Sequence, residues 1–139
     1  MFHEILLAVD GSEHSMRAAQ EAQKIAAFDS TASVTILYVA DFEHAKYDVL
    51  HSSSSVDLDM TRRKRLQPVE QFFQENITAY KVEILHGTPG PTIVEFANKH
   101  HFDLLIIGSR GLNSLQEMVL GSVSHKVIKR AECPVLVVK

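Results

Sequence analysis

A chain of 139 residues is long enough for one hydrophobic core and too short for two ordinary domains, so it predicts a single domain over residues 1–139. Its net charge of −3 argues against a general nucleic-acid binder, and no apolar run approaches the roughly 18 residues of a membrane-spanning helix. The N-terminus carries no signal-peptide pattern and the chain has one cysteine, Cys133, both of which favour a cytoplasmic protein.

Apolar segments alternate with helical ones from the start of the chain. Ile5–Val9 is a continuous apolar run that predicts a strand buried on both faces. A helix from about Glu13 to Phe28, with Ser12 as its N-cap, and a second strand over Val34–Ala40 follow. The segment from Asp41 to Met60 holds four consecutive serines and no clear periodicity, which predicts a mobile loop.

The same alternation continues through the second half. A helix is predicted from about Asp59 to Glu75, and Pro68 inside it should kink the helix or mark a restart. The remaining predicted elements are a third strand Lys81–His86, a helix Pro91–Lys99, a fourth strand Leu104–Ile107, a short helix Leu115–Met118, a helix Ser122–Arg130 and a fifth strand Val135–Val138. Strands that alternate with helices in this way imply right-handed βαβ units, a parallel sheet and helices on both of its faces. The pattern alone does not fix the strand order.

The most specific motif follows the fourth predicted strand. It reads Gly108-Ser109-Arg110-Gly111, then nine residues, then Gly121-Ser122 at the start of a helix. Glycine lets a backbone approach an anion closely, and the N–H groups of a loop and a helix start can bind phosphate oxygens. A single Gly-x-x-Gly can instead serve as an ordinary turn between strand and helix. The complete motif, with both of its glycine segments, is neither a Walker A loop nor the dinucleotide-binding fingerprint.

Together with Ala8-Val9-Asp10-Gly11-Ser12, this motif resembles the universal stress protein family, and in particular its ATP-binding branch. The resemblance extends over essentially all 139 residues. It implies an open, Rossmann-like, five-stranded parallel sheet of the adenine nucleotide α-hydrolase type, with strand order 3-2-1-4-5. That order reverses between strands one and four, and ligands of open α/β sheets bind in the crevice at such a reversal, at the carboxyl ends of the strands. Asp10 and Gly108 end those two strands.

The resemblance also implies roles for individual residues. Asp10 would contact the nucleoside, and a turn aspartate that caps the first helix is a compatible alternative. The backbone of Val39 would bind the adenine edge, although the apolar side chain of Val39, considered alone, is typical of a residue in the hydrophobic core. Gly108 would let the backbone approach the ribose, and Arg110 either pairs with a phosphate or faces solvent. The full predicted nucleotide-binding set is Ala8, Val9, Asp10, Val39, Gly108, Arg110, Gly111, Gly121, Ser122, Val123 and Ser124.

The parts needed for fast phosphoryl transfer are missing from the motif. No lysine follows Gly121-Ser122, and no glutamine or glutamate is clearly placed to activate a water. We therefore expect a regulatory, non-enzymatic module that binds ATP, with Mg²⁺ accompanying the nucleotide, and hydrolyses it slowly or not at all. The alternatives are a slow ATPase or AMP-handling enzyme and a protein-interaction dimer with an empty cradle. The His-x-Gly-His signature of related nucleotidyl transferases is absent near the first strand.

Two further expectations concern metals and partners. The eight histidines show neither the helical pair nor the Cys/His cluster of a zinc site, so no dedicated metal site is predicted. The last strand is apolar and would end the sheet with an unpaired edge. Because similar proteins form homodimers through this strand, the resemblance implies a dimer through residues 135–138. Cys133 is expected to be buried beside that edge, without a catalytic role.

Overall fold

The computed structural model describes residues 2–40, 55–110 and 121–139. This part of the chain contains five strands and four helices that alternate along the sequence. They are β1 (Glu4–Val9), α1 (Glu13–Ala26), β2 (Ser33–Ala40), α2 (Ser55–Glu75), β3 (Tyr80–His86), α3 (Pro89–His100), β4 (Leu104–Gly108), α4 (Ser122–Arg130) and β5 (Val135–Val138). The strands form one parallel sheet of order β3-β2-β1-β4-β5, which confirms the predicted fold and strand order.

The sheet separates two hydrophobic layers, one on each face. Along β1, Ile5, Leu7 and Val9 belong to the layer under α1 and α2, whereas Leu6 and Ala8 belong to the layer under α3 and α4. All five side chains are buried. A strand covered by helices on both faces has no solvent side, which explains why the run is continuously apolar rather than alternating. The buried strands β1 and β4 therefore hold the turns at their carboxyl ends in fixed positions.

Helix α1 begins where the sequence predicts and ends earlier. Ser12 is its N-cap, and the Ser12 hydroxyl accepts a hydrogen bond from the Ser15 N–H at 3.2 Å. The helix ends at Ala26, so the predicted end at Phe28 is wrong by two residues. The Phe28 side chain is 86% exposed, so it contributes no buried surface that would hold a further turn against the sheet.

Helix α2 corrects two predictions. It begins at Ser55, so the end of the segment predicted as a mobile loop, from 41 to 60, is helical; residues 41–54 lie outside the described part. It also continues through Pro68, which excludes the restart; the alternative, a kink at Pro68, stays a prediction. Leu66, Val69 and Phe73 are almost fully buried against the sheet on either side of Pro68. Their packing offsets the hydrogen bond that proline removes from a helix.

The remaining boundaries agree with the predictions, as those of α4 and β5 do, or differ from them by one or two residues. Helix α3 starts at Pro89 rather than Pro91, because proline fits the first turn of a helix, where its missing N–H is not needed. The helix ends at His100, and its C-cap residue, His101, has the left-handed conformation. The predicted short helix Leu115–Met118 lies outside the described residues. Within the described ranges, no helix is long and apolar enough to cross a membrane.

Thr35 provides a test of the sheet packing. Its side chain is completely buried on β2, and its hydroxyl has no hydrogen-bond partner among the described residues. Valine has nearly the same shape without the buried polar atom. We expect Thr35→Val to leave the free energy of unfolding unchanged or to raise it by about 1 kcal/mol. Urea denaturation measures this, and a loss of more than about 1 kcal/mol would show that the hydroxyl has a partner.

Candidate functional site

The turn between β1 and α1 holds Asp10 at the carboxyl end of the sheet. Gly11 follows with φ of +88°, a conformation that favours glycine. The Asp10 carboxylate accepts two hydrogen bonds at Oδ1, from the Ser12 N–H at 3.0 Å and from the Ser15 hydroxyl at 2.8 Å. Asp10 therefore organises the turn before α1, whereas the N-cap of that helix is Ser12 and not Asp10. Its half-buried carboxylate also lies at the strand end where the ligand crevice was predicted.

The end of β4 lies directly beside the end of β1. Ala8 pairs with Ile107 in the parallel register, so the residues after each strand leave from the same edge of the sheet. A Cβ atom on Gly108 would lie 2.8 Å from the His14 Cβ and 3.0 Å from the His14 carbonyl carbon and oxygen. Gly108 therefore has a structural function that the sequence did not indicate, because it lets the first turn of α1 approach the end of β4. Its predicted contact with a ribose stays a prediction.

Two hydrogen bonds fasten the start of α4 to the end of β4. The Gly121 N–H donates to the Ser109 carbonyl at 2.8 Å, and the Ser124 hydroxyl donates to the Gly108 carbonyl at 2.6 Å. Ser124 is only 3% exposed. Its hydroxyl proton is thus directed at the backbone of β4. The place of Ser124 in the nucleotide-binding set stays a prediction. The result is a fixed position for the helix start next to the crevice.

Gly121 is favoured by the limited space around it rather than by its backbone conformation. Its φ of −63° and ψ of 153° suit any residue. A Cβ atom there would lie 3.2 Å from the Ser109 carbonyl oxygen and 3.4 Å from the Arg110 Cα. Among the described residues no side chain caps the start of α4, and Ser122 is exposed. The first N–H groups of this helix are therefore suited to bind an anion.

The other predicted residues lie around these strand ends in different ways. Ala8 and Val9 are buried, so only their backbones could meet a ligand. Val39 and Val123 are half-buried and pack against the layer under α3 and α4. Arg110 is half-buried directly after β4. Gly111, the remaining predicted residue, lies outside the described part of the chain.

His14 is a residue of this region that sequence reasoning considered only as a metal ligand. It lies in the first turn of α1, half-buried, with Nδ1 at 3.5 Å from the Ser109 hydroxyl. Its backbone is the part of α1 that packs on Gly108. The position of His14, four residues after Asp10, could have indicated that it lies near the site. Only the strand order, however, places the first turn of α1 against β4.

The surroundings of His14 disfavour its charged form. Burial lowers the pKa of His14 below its ordinary value of 6.5, and the cations Arg17 and Arg110 lower it further. The carboxylates of Asp10 and Glu13 act in the opposite direction and do not offset this. His14 is therefore a neutral imidazole near physiological pH.

We expect His14 to make stability depend on pH on the acid side of neutrality. Because the folded state lowers the pKa of His14, the unfolded chain binds the proton more readily as the pH falls below about 6.5. The free energy of unfolding should therefore decrease there, and it should decrease less in His14→Asn. Urea denaturation at a series of neutral and mildly acidic pH values measures how the free energy of unfolding of each protein depends on pH. Parallel curves for the two proteins would contradict the expectation.

Cys133 and the described histidines do not form a metal centre. Within residues 2–40, 55–110 and 121–139, no group of three or more histidine, cysteine, aspartate or glutamate side chains could hold a metal ion. His44 and His51 lie outside these ranges. Cys133 is half-buried rather than buried, and desolvation raises the pKa of its thiol, which keeps it protonated.

Comparison with known proteins identifies the family. The model of the universal stress protein family matches residues 1–139. The chain belongs to the universal stress protein family. Universal stress protein MJ0531 of Methanocaldococcus jannaschii is 37% identical to it, over the whole of this chain and 83% of that protein.

Solved structures of similar proteins share the fold. The structure of hypothetical protein MJ0577 superposes with a TM-score of 0.82 at 30% identity, covering 100% of this chain and 96% of that one. A universal stress protein crystallised in complex with cAMP superposes with a TM-score of 0.71 at 26% identity, covering 99% and 96%. The parallel sheet of order 3-2-1-4-5 is thus shared with other universal stress proteins.

Proposed function

We propose that this universal stress protein binds ATP in the crevice between the carboxyl ends of β1 and β4 and acts as a nucleotide-dependent regulatory module. One observation carries the proposal. A carboxylate, Asp10, and a helix start at Gly121 that no described side chain caps lie at the sheet edge where the strand order reverses. Open α/β sheets bind their ligands at this place. The cAMP complex of a relative supports an adenine nucleotide as the ligand class.

The start of α4 is suited to the phosphates. Its N–H groups are backbone donors that no described side chain caps, and a helix N-terminus favours negative charge. A Cβ atom on Gly121 would lie 3.2 Å from the Ser109 carbonyl oxygen, so a larger residue would push the helix start and the backbone after β4 apart by a few tenths of an ångström. Mg²⁺ bound with the nucleotide would be held mainly by the phosphates and water.

Asp10 is suited to the nucleoside end. A carboxylate is an acceptor for the hydroxyl groups of a ribose, and hydrogen bonds to a charged acceptor are stronger than neutral ones. The backbone of Val39, near the end of β2, is proposed to bind the adenine edge. The nucleotide would then extend across the carboxyl ends of β2, β1 and β4, in the direction from adenine to phosphates.

We propose that the bound nucleotide is hydrolysed slowly or not at all, and that the protein is not an enzyme. Fast phosphoryl transfer uses a lysine or metal clamp and a group that orients the nucleophile. In the described residues, the helix start carries Ser122 and Ser124 but no lysine before Lys126. We expect a steady-state turnover well below about 1 per second, the lower end for dedicated enzymes.

Competition binding tests this proposal. The protein is titrated with a fluorescent ATP analogue and Mg²⁺, and unlabelled ATP, ADP, AMP, cAMP and inorganic triphosphate compete for the site. We expect ATP to displace the analogue and phosphate release to stay below about 1 per second. If none of the adenine nucleotides competes, after extraction has excluded co-purified nucleotide, the crevice is not a nucleotide site. Rapid phosphate release would instead identify an ATPase.

A second copy of the chain is the proposed protein partner, and the cytoplasm its location. Strand β5 is the last strand of the sheet, and its four residues, Val135–Val138, are only half-buried. An apolar edge of this kind is a template for pairing with another strand. Light scattering at micromolar concentration should give the mass of a dimer, and a monomeric mass would contradict this assembly.

A further inference from the structure

One buried hydroxyl holds both the backbone and the side chain of Asp10. The Ser15 hydroxyl accepts a hydrogen bond from the Asp10 N–H at 2.9 Å and donates one to the Asp10 carboxylate at 2.8 Å. Ser15 is only 4% exposed and belongs to α1. The ring that these two bonds close links the first residue after β1 to a helix that packs on the sheet.

Neighbouring groups hold Ser15 itself in place. Its N–H donates to the Ser12 hydroxyl at 3.2 Å, which is the cap of α1, and its own hydroxyl lies 3.4 Å from that of Ser12. The Ser12 N–H donates to the same Asp10 oxygen that Ser15 binds. Two donors converging on Oδ1 from a fixed helix start restrict rotation of the carboxylate. A polar group held in its binding orientation loses less entropy when a ligand arrives.

We propose that Ser15 is a positioning residue that orients the Asp10 carboxylate toward the sugar hydroxyls of the nucleotide. The inference rests on the proposed function, since it specifies how the nucleoside end of that site is preorganised. Ser15 itself does not touch the ligand. It determines how strongly the site prefers a nucleotide with both ribose hydroxyls over one without them.

The test compares ATP with 2′,3′-dideoxy-ATP, which lacks the two hydroxyls and keeps the adenine and the phosphates. Calorimetry with both nucleotides is performed on the wild type, Ser15→Ala and the isosteric Ser15→Cys, whose thiol is a poorer hydrogen-bonding group. Thr35→Val serves as the matched control, because it also removes a buried hydroxyl but lies on β2 among core residues. Thermal unfolding verifies that each variant is folded.

We expect the wild type to bind ATP at least about tenfold more tightly than the dideoxy analogue. In Ser15→Ala the affinity for ATP should fall by about five- to tenfold, while the affinity for the analogue stays the same. The ratio of the two affinities, which measures the preference for ATP, then approaches one. Ser15→Cys should give an intermediate preference, and Thr35→Val the wild-type one. In the Asp10→Ala background, removing Ser15 should have no further effect on the preference.

Two results would overturn the inference in distinguishable ways. If the Ser15 variants weaken both nucleotides equally, or keep the wild-type preference, Ser15 is only a structural residue and the proposed ATP site stands. If the wild type binds both nucleotides equally, Asp10 does not contact the sugar, and the nucleoside end of the proposed site is wrong as well. The second result still leaves phosphate binding at α4 measurable with inorganic triphosphate.

Discussion

Replacing Asp10 by alanine is expected to weaken ATP binding by about 10- to 100-fold, because a hydrogen bond to a charged group contributes about 1.5–3 kcal/mol. The affinity for inorganic triphosphate should change little, since the proposed phosphate contacts come from the start of α4. Calorimetric titration of both ligands into the variant and the wild type measures the two effects. Selective loss for ATP would assign Asp10 to the nucleoside end of the site.

Asp103→Ala is the matched control for this substitution. The Asp103 carboxylate also accepts two backbone hydrogen bonds beside β1, from His3 at 3.0 Å and Glu4 at 2.9 Å, and these bonds lower its pKa. It lies at the opposite, amino-terminal edge of the sheet, next to the start of β1. An equal loss of ATP affinity in Asp103→Ala would show that the effect is one of stability and would contradict a ligand contact by Asp10.

The second large effect is expected at Gly108. A Cβ atom there would lie 2.8 Å from the His14 Cβ, a distance that real Cβ atoms essentially never show, and 3.0 Å from the His14 carbonyl carbon and oxygen, which is tighter than most real Cβ contacts. Because the atoms it meets are mostly backbone, α1 has to move away from β4 as a unit. We expect Gly108→Ala to lower the free energy of unfolding by about 1–3 kcal/mol, measured by urea denaturation.

Gly90→Ala is the control for Gly108. Gly90 is also buried, but its added Cβ would meet the Lys126 side chain at 3.0 Å, and that side chain is long and flexible. The free energy of unfolding of Gly90→Ala should therefore change much less than that of Gly108→Ala. A Gly108 variant as stable as the Gly90 variant would show that the contact between α1 and β4 relaxes easily.

The sequence predicted most of the sheet because its central strands are buried on both faces. Ile5–Val9 and Leu104–Ile107 are continuous apolar runs, a pattern that parallel sheets produce directly. The strand order was predicted from the family resemblance, since an apolar run does not indicate which strands lie next to it in the sheet. The restart at Pro68 was wrong because burial of Leu66, Val69 and Phe73 outweighs a local helix preference, and packing cannot be read from local sequence.

The contacts that shape the candidate site were less predictable. The glycine motif indicated the correct end of β4, but the packing of Gly108 against His14 depends on two segments about 90 residues apart. The hydrogen bond from Ser124 to the Gly108 carbonyl joins two elements 16 residues apart. The ring between Ser15 and Asp10 is local, with a separation of five residues, and it depends on the backbone geometry of the turn before α1. Sequence reasoning selected residues by chemical type and position, and it could not determine which hydroxyls the protein itself uses.

Calorimetric titration of Mg-ATP into the wild type, Gly121→Ala and Gly90→Ala tests the central claim most directly. Gly121 and Gly90 both precede or begin helices, and their added Cβ atoms would meet neighbours at 3.2 and 3.0 Å. We predict that the wild type and Gly90→Ala bind ATP alike, whereas Gly121→Ala binds at least about tenfold more weakly. No binding by nucleotide-free wild type, or equal binding by all three proteins, would contradict a phosphate site at the start of α4.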